Sequence, residues 1–147
     1  MTSGASQGDR LGATRSGVYR AVDARMGPEA LAAGFDVATI SLSGVAGKDA
    51  LFDRFAATLA FPEWFGANWD ALQDCLSDLS WRDGGGQLLV IDGFEALQAA
   101  SRDDCGVLLD VLAESASHWL WQERPFFAVF FDPGRVLRLP TWDDETA

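Results

Sequence analysis

Asp70, Asp74 and Asp78 stand four residues apart in FPEWFGANWDALQDCLSDLSW, Phe61 to Trp81, a stretch without lysine or arginine. On a helix, residues i and i+4 share a face, so the three carboxylates form one stripe. Three chemistries use such a stripe: paired carboxylates for acid–base catalysis, a hard-cation site, or a fixed anionic surface for a cationic partner. A catalytic pair needs one carboxyl shifted by burial. These point away from the apolar positions Trp69, Leu72, Leu76 and Leu79, which follow the i, i+3, i+7, i+10 spacing of a buried helix face. No DxDxDG calcium loop is present. Like charges at i, i+4 cost roughly 0.2–0.5 kcal/mol per pair, and the helix dipole opposes Asp78 near the C-terminal end. Local stability therefore does not account for the pattern. Trp64 and Phe65 immediately before the helix favour a recognition surface, since aromatics beside charges are frequent there.

The elements that would position this stripe follow from periodicity and punctuation. Asn68 is a good N-cap, and the helix it opens runs from Trp69 to about Leu79. Before it, Lys48–Phe61 carries Leu51, Phe52, Phe55 and Leu59 at helical spacing and is stopped by Pro62. Phe35–Leu42 alternates as a strand does, and Gly84–Phe94 and Pro125–Asp132 are apolar runs that read as buried strands. A long helix from about Asp104 to Gln122 has Leu108, Leu109, Val111, Leu112 and Trp119 on its core side. Gly17–Arg20 reads as a short edge strand and Pro28–Gly34 as a short helix. Strands separated by helices predict an α/β fold with a largely parallel sheet. A flexible polar tail is expected over residues 1–16 and one domain over residues 17–147, its last residues adding at most a little edge structure.

Composition narrows the function. The chain has 147 residues and 48% hydrophobic content, enough for a real core. No stretch is long and apolar enough to span a membrane, and the start lacks the apolar core of a secretory signal, so a cytoplasmic location is expected. The net charge is −11 with one lysine, Lys48, the reverse of the basic footprint that nucleic-acid binding needs. Such a charge steers a basic partner instead. Cys75 and Cys105 lack CxxC spacing and His118 is the one histidine, which argues for free thiols and against zinc. Neither a GxSxG elbow nor a phosphate loop occurs, and Cys75 and Ser77 have no visible base beyond His118. No cofactor is implied, and the chain reads as non-enzymatic.

The segment Pro62, Glu63, Trp64, Phe65, Gly66, Ala67, Asn68, Trp69, Asp70, Ala71, Leu72, Gln73, Asp74, Cys75, Leu76 resembles the signature of the barstar family, intracellular inhibitors of barnase-type ribonucleases. The resemblance extends over about residues 35–132 and implies a small three-stranded parallel sheet packed with helices in three layers, here with an extra N-terminal strand and helix. It implies that this loop and helix plug a ribonuclease active site, carboxylates standing where RNA phosphates would. By motif position, Asp74 matches the central carboxylate and Asp70 the second. Trp64 stands where the family has a contacting tyrosine, and Gly66 and Asn68 match interface loop positions. Glu114, placed by helix spacing, matches an acidic rim contact. Gln73 replaces a family aromatic, and Asp78 adds a charge where the family has a small residue. The expected contact surface is Trp64, Phe65, Gly66, Asn68, Trp69, Asp70, Gln73, Asp74, Ser77 and Glu114. The expected partner is a basic ribonuclease or toxin, bound by a protein that is monomeric when free. Rival readings are an immunity or binding protein on the same scaffold for a partner that is not a nuclease, and a metal-dependent hydrolase built on the aspartate stripe.

Overall fold

The apolar runs LLVI and FFAVFF can be buried as strands only by cover on both faces of a sheet, and the chain supplies it. A computed structural model describes residues 11–23 and 26–142. Its regular elements are β1 (Gly17–Ala21), α1 (Met26–Ala32), β2 (Asp36–Ser41), α2 (Lys48–Leu59), α3 (Trp69–Asp78), β3 (Gln87–Asp92), α4 (Glu95–Ala100), α5 (Arg102–Trp121) and β4 (Phe126–Phe131). All strand pairs are parallel, in the order β1-β4-β3-β2.

The winding explains where each helix lies. From β2 to β3 to β4 the chain steps across the sheet in one direction, and right-handed crossovers put α2 to α5 on one face. From β1 to β2 it moves in the opposite direction, so α1 goes to the other face. The core divides accordingly. Ile40, Leu89, Ile91, Phe126, Ala128 and Phe130 meet Leu51, Phe55, Leu72, Leu76, Leu108, Leu112 and Trp119 from the four-helix side. Leu88, Val90, Phe127 and Val129 meet Met26 and Ala30 of α1, together with Leu11, Phe35 and Trp142. Strand alternation sends neighbours such as Phe126 and Phe127 to opposite faces.

The sheet has four strands rather than the three expected of the core. Gly17–Ala21, read as an edge strand, pairs with β4 and covers an edge that would otherwise present unpaired backbone. Short α4 was not resolved from the long helix, which starts at Arg102 under an Ser101 cap; Cys105 therefore lies in its first turns. Of the tail expected over residues 1–16, residues 1–10 lie outside the described residues. The rest packs: Leu11 is buried, and the Ser16 hydroxyl accepts from Phe126 N at 3.0 Å.

The C-terminal residues hold more than edge structure. Asp132 is buried and accepts from Val136 N and Leu137 N, at 3.0 and 2.8 Å, turning the chain after β4. Thr141 bridges Arg20, and Trp142 N donates to Arg20 O at 2.8 Å. The Trp142 ring packs edge-on against Tyr19 at 5.3 Å and Phe127 at 5.2 Å. Trp142→Ala should therefore cost about 3–5 kcal/mol, the usual loss for a buried large aromatic. Urea unfolding measures it; a loss below about 1 kcal/mol would mean that the tail contributes little to the second core.

Candidate functional site

The loop before α3 is built on rings. After α2 ends at Ala60 in the left-handed region (φ 55), Phe61 N donates to Ala56 O at 3.0 Å. Phe61 packs on Phe65 at 4.9 Å and on Trp81 at 6.1 Å, and Trp81 Nε1 donates to Leu59 O at 2.9 Å. Phe52 of α2 contacts Phe65 at 6.3 Å and Trp69 at 4.9 Å, both edge-on. Phe65 N donates to Pro62 O at 3.0 Å, closing a turn that carries Trp64 outward, 63% exposed. Asn68 is extended and its Oδ1 accepts from Ala71 N at 2.8 Å, so the cap read from sequence is made.

Helix α3 separates its two faces cleanly. Leu72, Cys75 and Leu76 are buried, whereas Asp70, Asp74 and Asp78 are exposed. Among the described residues these three carboxylates form no salt bridge. The cation that follows in sequence, Arg82, is bonded to other groups: it pairs with Asp36 at 2.9 Å and donates to Gln87 Oε1 at 3.1 Å. Gln73 and Ser77 are half-buried at the borders of the stripe, and Gly66 is exposed beside Asn68. Phe65 and Trp69 are also half-buried, turned toward Phe52, so they hold the loop rather than face outward.

The second wall comes from α5. Because α3 and α5 feed parallel neighbouring strands, they run in the same sense with their C-terminal ends together. Trp119 Nε1 donates to Leu76 O at 2.9 Å, tying the last turns of the two helices. Beside this bond lies an open groove of about 520 Å³, lined by Asp74, Ser77 and Asp78 from α3 and by His118 and Gln122 from α5, with Trp119 and the two cations Arg82 and Arg124 among its other residues. His118 Nε2 and Gln122 Nε2 are 2.9 Å apart. The Arg124 guanidinium sits 5.0 Å from the Trp119 ring centroid. Glu114 is exposed one turn before His118 on the same side of α5. Sequence reasoning found Glu114 but missed His118, Gln122 and the exposed Trp121. The signal was the 114, 118, 121 spacing, one helix stripe whose neighbour is set by tertiary packing.

Among the described residues, no three His, Cys, Asp or Glu side chains converge as a metal site requires, and no helix is long and apolar enough to cross a membrane. The aspartate stripe is thus a row of separate charges. It also acts inward. Burial raises the Cys75 thiol above its ordinary value of 9.0, and Asp74 and Asp78 raise it further; burial raises Cys105 likewise. Both are free thiols.

A thiol pKa raised in the folded state contributes stability in full below the unfolded value and loses it as pH climbs toward the folded one. Urea stability should therefore fall from pH 9.0 upward, and Cys75→Ala should make that fall shallower. Equal slopes for wild type and variant would show that the Cys75 thiol is not protected.

The family model described as Barstar (barnase inhibitor) matches residues 35–131, which takes in the ring-built loop, α3, α5 and the groove between them, and leaves β1, α1 and the final tail outside. No curated protein matches the chain.

Proposed function

The chain belongs to the barstar family, and from that premise we propose that it is a non-catalytic inhibitor of a basic ribonuclease, of barnase or toxin type. The observation that carries this reading is the row Asp70, Asp74, Asp78, exposed and without a salt bridge among the described residues, next to exposed Trp64. An enzyme that cleaves RNA must concentrate cations where phosphates bind. A rigid row of carboxylates can occupy those places, and it offers a ribonuclease no phosphodiester bond to cleave. Asp74, in the middle of the row and on the wall of the groove, is the central anchor. Asp70 and Glu114 flank it with further charge. Trp64 supplies the apolar contact. Gln73 and Ser77 offer polar contacts at the border, Gly66 and Asn68 shape the loop, and Phe65 and Trp69 keep it fixed so that little ordering entropy is lost on binding.

The charge distribution also sets the kinetics. Opposite potentials accelerate encounter, and salt screens them, so association should be fast at low ionic strength and slow as salt rises. Replacing a rim carboxylate should act mainly on association, replacing the anchor mainly on dissociation.

The test is RNA cleavage by a barnase-type ribonuclease titrated with wild type and Asp74→Ala. Wild type should inhibit stoichiometrically. The variant should weaken binding by at least about 30-fold, the equivalent of the ~2 kcal/mol that marks an interface hot spot. Because Asp74 is exposed and has like-charged neighbours at i±4, the same variant should keep its thermal midpoint or gain slightly. Equal inhibition by both proteins would remove Asp74 from the anchor position. Absence of inhibition by either would direct the surface to a partner that is not such a ribonuclease.

A further inference from the structure

Two tryptophans of this chain are largely exposed. Trp64 stands before the N-terminal end of α3; the other, Trp121, is 88% exposed and has no counterpart in the contact surface described so far. It is the last residue of α5, next to Leu120, itself 40% exposed. Single exposed apolar residues are ordinary, but a tryptophan this open beside a second large apolar side chain is not.

Its position links it to the acidic row. Glu114, His118 and Trp121 fall at i, i+4 and i+7, one stripe of α5. His118 lines the groove whose opposite wall holds Asp74 and Asp78. Since α3 and α5 end side by side, tied by the Trp119–Leu76 hydrogen bond, Trp121, the last residue of α5, belongs to the C-terminal end of this helix pair, whereas Trp64 precedes the N-terminal end of α3. The ten-residue α3, about 15 Å long, lies between these two ends.

The chemistry around Trp121 selects its occupant. The ring stands at the electronegative C-terminal end of a 20-residue helix. Glu114 precedes it on the same stripe and Glu123 follows two residues on. Arg124, the near cation, is already over the neighbouring Trp119 ring. An open indole face in an electronegative setting binds a guanidinium by cation–π attraction, and tryptophan is the best ring for it.

We infer that Trp121 is a second aromatic anchor of the partner-binding surface, stacking an arginine side chain of the basic partner at the exposed C-terminal end of α5, on the helix stripe that carries Glu114 and the groove residue His118. This rests on the inhibitor reading and deepens it: the surface continues over α5, and the partner must carry an arginine outside its phosphate-binding centre.

The probe is a barnase-type ribonuclease, with stopped-flow association and dissociation measured over a series of NaCl concentrations for wild type, Trp121→Ala and Trp121→Phe. The Ala variant should keep the melting midpoint of wild type, as the ring is exposed. Its dissociation should be about tenfold faster, with the salt dependence of association unchanged because no net charge is lost; the Phe variant should fall between. Wild-type inhibition with identical dissociation of Trp121→Ala would overturn this inference and leave the inhibitor reading intact. A steeper or shallower salt dependence in Trp121→Ala would overturn the cation–π assignment. If wild type fails to bind the ribonuclease, the inhibitor reading fails and this inference with it.

Discussion

A parallel sheet whose central strands are apolar on both sides must be covered on both sides, and most of this molecule follows from that constraint. β3 and β4 present Leu88, Val90, Phe127 and Val129 to one face and Leu89, Ile91, Ala128 and Phe130 to the other. Right-handed crossovers allow only one allocation of helices for the observed strand order. It sends α1 to the first face and packs α2 to α5 on the second. There α3 and α5 become neighbours running in the same sense, and their outward stripes become one surface. The groove between Asp74 and His118 is thus a consequence of sheet order.

The same packing decides what the carboxylates can do. With Leu72, Cys75 and Leu76 buried, the opposite side of α3 is fixed in solvent. The mutual repulsion of Asp70, Asp74 and Asp78 is small, a few tenths of a kcal/mol per pair; the helix dipole offsets it at Asp70 in the first turn, and among the described residues none of the three is held in a salt bridge. The inward effect on Cys75 is a by-product: a thiol under a row of negative charge is harder to ionise.

Much of this was legible in the sequence because the relevant signals are local. Asn68 was read as a cap and accepts from Ala71 N. Leu72, Leu76 and Leu79 were read as one apolar stripe and are buried. The strands at residues 87–92 and 126–131 were visible as short apolar runs. What escaped depends on pairing across the chain. Nothing around Gly17 states that its strand joins β4, where its register partner Phe127 lies 110 residues later, so the sheet was short by one strand in the expected core. Leu11 and Trp142 sit in polar-looking terminal segments, and only the uncovered second face of the sheet explains their burial. His118 and Gln122 joined the site through the contact of α5 with α3, which no single helix pattern contains.

The six tryptophans make the division between scaffold and surface concrete. Trp142 and Trp119 are buried, the first against Tyr19 and Phe127, the second on Phe126 with its indole N–H given to Leu76 O. Trp81 and Trp69 are half-buried, and their contacts with Phe61 and Phe52 hold the loop in place. Each of these four has a neighbour that accounts for it. Trp64 and Trp121 do not, although burying such a ring is among the largest gains a side chain can make. A rigid loop that carries one exposed ring, and a helix end that carries the other, fix both before any encounter. Any molecule that covers them gains the apolar contact without the cost of ordering the surface that provides it.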